Sequence, residues 1–146
     1  MAIDILVING ANLNMLGVRE PELYGNRSYG DLVYVLERRA EELGVRIEIM
    51  QSNHEGDLVD AIQQAYPDTD GIIINPGGYT FTSVAILDAL KAVDIPAVEV
   101  HLTDLSTRED FRQHSYIRSA CLANCMGKGF DSYLEALDLL VSKLRA

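Results

Sequence analysis

Residues 71–78 read Gly-Ile-Ile-Ile-Asn-Pro-Gly-Gly, an apolar run that stops at an Asn-Pro-Gly turn. A run of this kind, without alternating polar residues, is typical of a strand covered on both faces in a parallel sheet. Residues 3–9 and Ala97–His101 are also nearly continuous in apolar residues. Arg46–Gln51 and residues 122–126 carry weaker strand signals, so the sequence predicts five strands in total.

Helix signals lie between the predicted strands, each a capping residue followed by an apolar stripe at helical spacing. The predicted starts are Ser28 with Asp31 (a capping box, with Gly44 after the helix end), about Asp57, Thr82-Ser83, and Ser132 with Glu135. Alternating strands and helices predict an α/β fold, a flavodoxin-like, doubly wound, five-stranded parallel sheet in the order 2-1-3-4-5, with helices on both faces. At 146 residues, the chain is predicted to form a single domain over residues 1–146.

The charge balance limits the class of ligand. The chain has 22 Asp and Glu residues against 12 Lys and Arg, a net charge of -10, which disfavours binding to nucleic acid or to an anionic membrane. A small anionic substrate would need a local pocket of arginines or backbone N–H groups. The sequence starts without a basic leader and has no apolar run near about 18 residues, so we expect a cytoplasmic protein that is neither exported nor membrane-spanning.

The cysteines and histidines give no sign of a disulfide or a metal site. Cys121 and Cys125 are four residues apart, which in a strand places them on one face about 13 Å apart, too far for a disulfide. They are predicted to be buried thiols of a cytosolic protein. His54, His101 and His114 are scattered, and no HExxH or GxGxxG motif occurs, so neither a metal nor a cofactor is predicted.

The residues that follow the predicted strands are polar or rich in glycine. These segments are residues 9–14, 51–56, 75–79 and 99–103. In a doubly wound sheet, ligands bind outside the carboxyl ends of the strands. A binding site is therefore predicted at this edge.

Two parts of the sequence supply candidate reactive groups. His101 closes a strand at the predicted site, and Glu99 lies on the same strand face, where it can orient or charge the imidazole. The pair suits a general acid, with a structurally paired histidine as the alternative. The glycine-bounded residues 17–25 suit a lid over an anion, with a solvated connector as the alternative. In that lid Arg19 could lower the pKa of Tyr24 from about 10, which makes a tyrosinate base conceivable.

Several segments, in order along almost the whole chain, resemble the type II 3-dehydroquinate dehydratases. The most specific are the Gln-Ser-Asn-His-Glu-Gly and Val-Glu-Val-His strings. The segments are Asn12-Leu13-Asn14, residues 17–25 with Arg-Glu-Pro and Tyr-Gly, Gln51-Ser52-Asn53-His54-Glu55-Gly56, Ile74-Asn75-Pro76-Gly77, Asp88-Ala89-Leu90, Val98-Glu99-Val100-His101-Leu102 and Arg108-Glu109-x-Phe111-Arg112.

The resemblance implies a hydro-lyase that dehydrates 3-dehydroquinate through an enolate, without metal or Schiff base, in a dodecamer built from trimers. The implied catalytic residues are Tyr24 as the base, Arg19 lowering the pKa of that base, Asn12 holding a water, His101 as the acid and Glu99 supporting it. The implied substrate-binding residues are Leu102 and Thr103 for the carboxylate, Asn75 and Arg112 for ring hydroxyls, and Asp88 from a neighbouring subunit.

The sequence also departs from the family pattern. Phe81 stands where the family has a substrate-binding histidine, Ala11 replaces a proline, and residues 118–128 differ in a way that suggests core repacking at the last strand. We therefore keep two alternatives open. One is a dehydratase-like paralogue acting on a related, less hydroxylated cyclic oxo-acid, and the other is a non-catalytic protein that binds a small ligand.

Overall fold

Five parallel strands form one sheet in the computed structural model, which describes residues 2–24 and 26–146, with the backbone alone at residues 23 and 24. The strands are β1 (Asp4–Asn9), β2 (Arg46–Gln51), β3 (Gly71–Asn75), β4 (Ala97–His101) and β5 (Ala123–Met126). Their order is β2-β1-β3-β4-β5, which confirms the predicted topology. Asn9 is in register with both Gln51 and Asn75, so the polar ends of three strands lie side by side.

Helices connect the strands. They are α1 (Pro21–Tyr24), α2 (Tyr29–Leu43), α3 (Glu55–Ala65), α4 (Val84–Val93) and α5 (Phe130–Arg145), with 3-10 turns at Leu13–Met15, Gly77–Phe81, Leu105–Thr107, Asp110–Arg112 and Arg118–Ala120. The predicted capping box is present at α2, where the Ser28 hydroxyl accepts from the Asp31 N–H at 3.1 Å and the Asp31 carboxylate accepts from the Ser28 N–H at 2.8 Å. Ser83 caps α4 in the same way by accepting from the Ile86 N–H at 3.0 Å.

The start of α5 differs from the prediction. The helix begins at Phe130, after Gly129, rather than at Ser132. Ser132 is buried, and its hydroxyl accepts from the Lys128 N–H at 2.9 Å. Glu135 binds the Lys128 ammonium at 2.6 Å instead of reaching back to cap the helix. Both side chains thus contact Lys128, although their spacing is that of a capping box.

Two apolar layers cover the sheet. Because side chains alternate along a strand, Ile5 and Val7 pack into the layer formed with α2 and α5, whereas Leu6 and Ile8 pack into the layer formed with α3 and α4. Burial on both faces explains the continuous apolar runs of the central strands. In the described ranges, no helix is both long and apolar enough to cross a membrane.

Candidate active site

A cavity of about 160 Å³ opens at the carboxyl edge of the sheet. Seven of the residues predicted for the site line it, and they come from the ends of β3 and β4 and the connections that follow β1 and β4: Asn12, Arg19, Asn75, His101, Leu102, Thr103 and Arg112. Most of the predicted site residues therefore meet in one cavity, at the edge of the sheet where the site was predicted.

Two glycines allow the loops after β1 and β3 to touch. A Cβ atom on Gly10 would lie 2.1 Å from the Pro76 carbonyl oxygen, and a Cβ on Gly77 would lie 2.4 Å from the Ala11 carbonyl oxygen. Gly77 also has φ +65°, a conformation that favours glycine. The loops that carry Asn12 and Asn75 consequently pack backbone against backbone.

The Gln-Ser-Asn-His-Glu-Gly string after β2 holds the Asn12 loop in place. Asn53 accepts the Asn12 N–H at 2.9 Å, and the Gln51 amide donates to the Gly10 carbonyl at 3.1 Å. The Tyr79 hydroxyl in turn donates to the Asn53 carbonyl at 2.7 Å. Asn12 itself lies in the left-handed region at φ 71°, which asparagine tolerates better than most residues.

A buried tyrosine fixes the orientation of Asn75. The Tyr133 hydroxyl accepts from the Asn75 amide at 2.8 Å and donates to Asn9 Oδ1 at 2.7 Å. Asn75 Oδ1 also accepts from the Gly77 N–H at 3.1 Å. Burial raises the pKa of Tyr133 above its ordinary value, so its hydroxyl stays protonated and able to donate.

His101 and Glu99 form a buried pair behind the cavity wall. Nε2 of His101 lies 2.5 Å from Oε2 of Glu99, and the exposed fractions of the two residues are 5% and 0%. Arg118 donates to both carboxylate oxygens of Glu99 at 3.1 Å. Burial raises the pKa of Glu99, but the hydrogen bonds from His101 and Arg118 outweigh it and leave the pKa below its ordinary value. Glu99 is thus an anion that supports His101.

Three arginines also line the cavity. Arg19, Arg108 and Arg112 all contribute to its walls, giving the local positive charge that a small anion needs in a chain of net charge -10. Arg108 donates to the Thr103 hydroxyl oxygen at 3.1 Å, which leaves the hydroxyl hydrogen of Thr103 to point at another acceptor.

Phe81 forms an apolar part of the wall. Its ring stacks on the His101 ring with centroids 6.5 Å apart and planes 23° apart. The guanidinium carbon of Arg112 lies 5.3 Å from the centre of the Phe81 ring, a cation–π distance. Phe81 therefore contacts His101, the predicted acid, and Arg112, which is predicted to bind a ring hydroxyl of the substrate.

The family model for Dehydroquinase class II matches residues 3–141. The chain belongs to the class II dehydroquinase family. It is 49% identical to the "3-dehydroquinate dehydratase 1" of Corynebacterium efficiens over 94% of this chain and 91% of that protein. It is 52% identical to the "3-dehydroquinate dehydratase" of Caldicellulosiruptor bescii over 91% and 92%. The crystal structure of a type II dehydroquinase from Butyrivibrio crossotus matches with a TM-score of 0.94 at 45% identity, covering 95% of this chain and 97% of that one.

Among the described side chains, two that were predicted for the dehydroquinase site, Glu99 and Asp88, are not in the cavity lining. Glu99 lies behind His101, and Asp88 is exposed on α4. Tyr24 ends α1, but its side chain falls outside the described residues, as does Gly25, so the lid and the tyrosinate base stay predictions. Among the side chains that are described, no group of His, Cys, Asp and Glu could hold a metal ion.

The sequence analysis missed two arginines of this dehydroquinase. Arg108 stands in one of the segments that carry the resemblance, but the sequence analysis gave it no role. Arg118 lies in the divergent residues 118–128, for which the sequence suggested core repacking. Cys125 is buried and Ala120, Cys121 and Ala123 pack against the two apolar layers, whereas Arg118 pairs with Glu99. No local spacing connects Arg118 to a glutamate on another strand.

Both cysteines of this dehydroquinase are free, with Cys125 buried and Cys121 half-buried. β5 begins at Ala123, so Cys121 precedes the strand and the separation of about 13 Å expected for two cysteines of one strand does not apply. Burial, together with the charge of Glu99, raises the pKa of Cys121 to about 12. The thiol beside Glu99 is therefore neutral near pH 7.

Proposed function

We propose that the chain removes water across C1–C2 of 3-dehydroquinate to give 3-dehydroshikimate, in the shikimate route to aromatic amino acids. The observation that carries this proposal is the buried His101–Glu99 pair at the wall of a cavity that three arginines also line. The pair provides a proton for a leaving hydroxyl, and the arginines provide attraction for a carboxylate. The names of the relatives at 49% and 52% identity support the same substrate.

In the proposed mechanism, Tyr24 as tyrosinate removes the C2 proton, with the positive charge of Arg19 favouring the ionised phenol. The electron pair of the C–H bond moves into an enolate at the neighbouring ketone, and a water held by Asn12 stabilises the enolate oxygen. His101 then protonates the C1 hydroxyl. The enolate collapses, the C1–O bond breaks and water leaves. No cofactor is needed, because side chains perform both proton transfers.

Substrate binding in this proposal uses the groups that surround His101. The Leu102 N–H and the Thr103 hydroxyl receive the carboxylate, and the contact from Arg108 directs the Thr103 hydrogen away from the arginine. Asn75 and Arg112 hold ring hydroxyls. The contacts of Asn75 with Tyr133 and Gly77 limit rotation of its amide, which favours a fixed hydrogen-bonding direction toward a ligand.

The enone assay tests the proposed reaction. Dehydration conjugates the new C=C bond with the ketone and the carboxylate, so the product absorbs in the ultraviolet and the substrate does not. We expect purified protein to form this chromophore from 3-dehydroquinate. If no chromophore forms but a shikimate-like acid raises the melting temperature, the chain is a binding protein rather than a dehydratase.

One observation favours a second candidate. Phe81 places an aromatic ring between His101 and Arg112, where the resemblance implies a histidine that bonds a ring hydroxyl. A hydroxyl buried against this ring would lose a partner worth about 1–3 kcal/mol. The second candidate substrate is therefore a related cyclic oxo-acid that lacks this hydroxyl.

Phe81→His is expected to separate the two candidates. If 3-dehydroquinate is the substrate, the variant should raise kcat/KM by roughly ten- to a hundredfold, since it restores a hydrogen-bond partner. If the second candidate is correct, activity on 3-dehydroquinate should appear from near zero while binding of the true ligand weakens. Phe111→His is the matched control, because Phe111 also contacts Arg112, at 5.1 Å, but is 64% exposed. A wild type that turns over rapidly and is indifferent to Phe81→His would show that Phe81 has no role in specificity.

We also propose that the protein is cytoplasmic and forms a dodecamer built from four trimers. The support is that Asp88 lies on the exposed face of α4 together with Val84, which is 50% exposed; an acidic side chain there can complete a neighbour's cavity only through assembly. Sedimentation should detect an oligomer, and dilution below its dissociation constant should reduce activity together with assembly. A dilute, fully active monomer would remove Asp88 from the site. The net negative charge disfavours nucleic acid and anionic membranes, and the three cavity arginines supply the local attraction that a small anionic substrate needs.

A further inference from the structure

Arg118 connects the protein surface to the buried acid–base pair. It begins the 3-10 turn Arg118–Ala120 before β5, and its side chain is 41% exposed. Its Nε donates to Oε1 of Glu99 and its Nη2 donates to Oε2, both at 3.1 Å. This two-point contact fixes the plane of the carboxylate, because the guanidinium presents its donors in a rigid fork.

Arg118 supplies two of the three hydrogen bonds that the Glu99 carboxylate makes with described residues. His101 approaches Oε2, whereas Oε1 accepts, in the part of the chain that the structure describes, from Arg118 alone. The side chain of Glu99 is completely buried with Arg118 in place. In a variant without Arg118, the water that enters the vacated space cannot hold the carboxylate in one plane, because it lacks the rigid fork of donors. With Arg118 removed, the carboxylate gains freedom to rotate and Oε2 can leave His101.

We infer that Arg118 is a positioning residue for the reaction, acting through Glu99 to hold the His101 ring in one orientation and one tautomer. The contact with Glu99 occupies Nε2 of His101, so the proton on Nε2 faces the carboxylate. When the protonated ring acts as the acid, Nδ1 gives its proton to the leaving hydroxyl, and the neutral tautomer with its proton on Nε2 remains. This role rests on the proposed dehydration. The Cys121 thiol also interacts with Glu99, and because it is neutral it brings no competing charge.

The chain contains a matched control for Arg118. Arg46 makes the same two-point contact with Asp4, through Nε at 2.6 Å and Nη2 at 2.7 Å. These residues begin β2 and β1, at the opposite edge of the sheet from the cavity. A generic effect of breaking an arginine–carboxylate pair will therefore appear in Arg46→Ala as well.

Arg118→Ala should lower kcat by about tenfold, a part of the 10²- to 10⁴-fold that a general acid contributes, with KM within about twofold. Millimolar guanidinium, well below denaturing concentrations, should restore kcat, because the exposed arginine leaves an opening to solvent. Urea at the same concentration, which is uncharged, should not. Arg46→Ala should change neither kcat nor its response to guanidinium. The kcat of Arg118→Lys should stay below that of Arg118→Ala with added guanidinium, since an ammonium cannot bind both carboxylate oxygens in one plane.

A second readout does not need activity. Ring ¹⁵N shifts of His101 should indicate one fixed tautomer in the wild type and a mixture in Arg118→Ala, or in Arg118→Gln if the alanine variant does not fold. If the wild type fails to dehydrate 3-dehydroquinate but the tautomer change occurs, the proposed function fails and the positioning role stands. If kcat and the His101 shifts are both unchanged in an Arg118 variant, or if urea rescues as well as guanidinium, the inference is overturned.

Discussion

Tyr24→Phe is expected to reduce kcat for 3-dehydroquinate by roughly a thousandfold or more, within the range that general acid–base groups contribute. The substitution removes the proposed base and leaves no group on the ring that can accept the C2 proton. The melting temperature should change little, since the lost hydroxyl belongs to the predicted lid and has no expected part in the core. Steady-state kinetics with the enone assay, together with a thermal melt, provide the measurement.

Tyr34→Phe is the matched control for this variant. The Tyr34 hydroxyl accepts from Arg38 at 3.0 Å, and Tyr34 lies on the exposed face of α2 and is 59% exposed. We expect Tyr34→Phe to retain wild-type kcat. Activity of Tyr24→Phe within tenfold of wild type would show that another group removes the proton.

His101→Ala is the second variant with a large expected effect. It removes the proposed acid and leaves Glu99 with Arg118 as its remaining partner, so kcat should fall by about 10²- to 10⁴-fold. KM should change much less, because the carboxylate ligands Leu102 and Thr103 are retained. The same assay should therefore give a split between kcat and KM.

His114→Ala controls for the loss of a histidine as such. His114 is exposed and packs edge-on against Tyr116, with ring centroids 4.9 Å apart, away from the residues that line the cavity. It should retain wild-type kcat and KM. If His101→Ala instead raises KM and leaves kcat near the wild-type value, His101 binds substrate and a different group protonates the leaving hydroxyl.

The strands were the most predictable part of the fold. β2, β3 and β4 have the predicted limits, whereas β1 and β5 each begin one residue later than predicted. Burial on both faces gives the central strands their continuous apolar runs, and such runs are visible in sequence. Helix starts are harder to predict from sequence, because a Ser and a Glu at this spacing can cap a helix or can bind other residues instead. Ser132 and Glu135 have that spacing, yet both contact Lys128.

The site was predictable where its residues follow strands. His101 with Glu99 and the loops bearing Asn12 and Asn75 could be grouped because the ends of parallel strands meet at one edge. The contacts that orient those residues were not predictable. Tyr133 reaches Asn75 from 58 residues away in sequence, and Arg118 reaches Glu99 from 19 residues away. Such pairs are created by the packing of helices and turns on the sheet, and no sequence period encodes them.

The Tyr133 contact makes the site depend on the most C-terminal helix. Its hydroxyl joins Asn9 at the end of β1 to Asn75 at the end of β3, and it is carried by α5, which follows all five strands in the chain. A growing chain can pair its first four strands, but it cannot orient Asn75 until residue 133 has been synthesised and has docked. Transient detachment of α5 in the mature protein should likewise release the Asn75 amide before the sheet opens. Local unfolding of α5 thus frees the Asn75 amide to rotate, and Asn75 no longer offers a fixed hydrogen bond to a substrate.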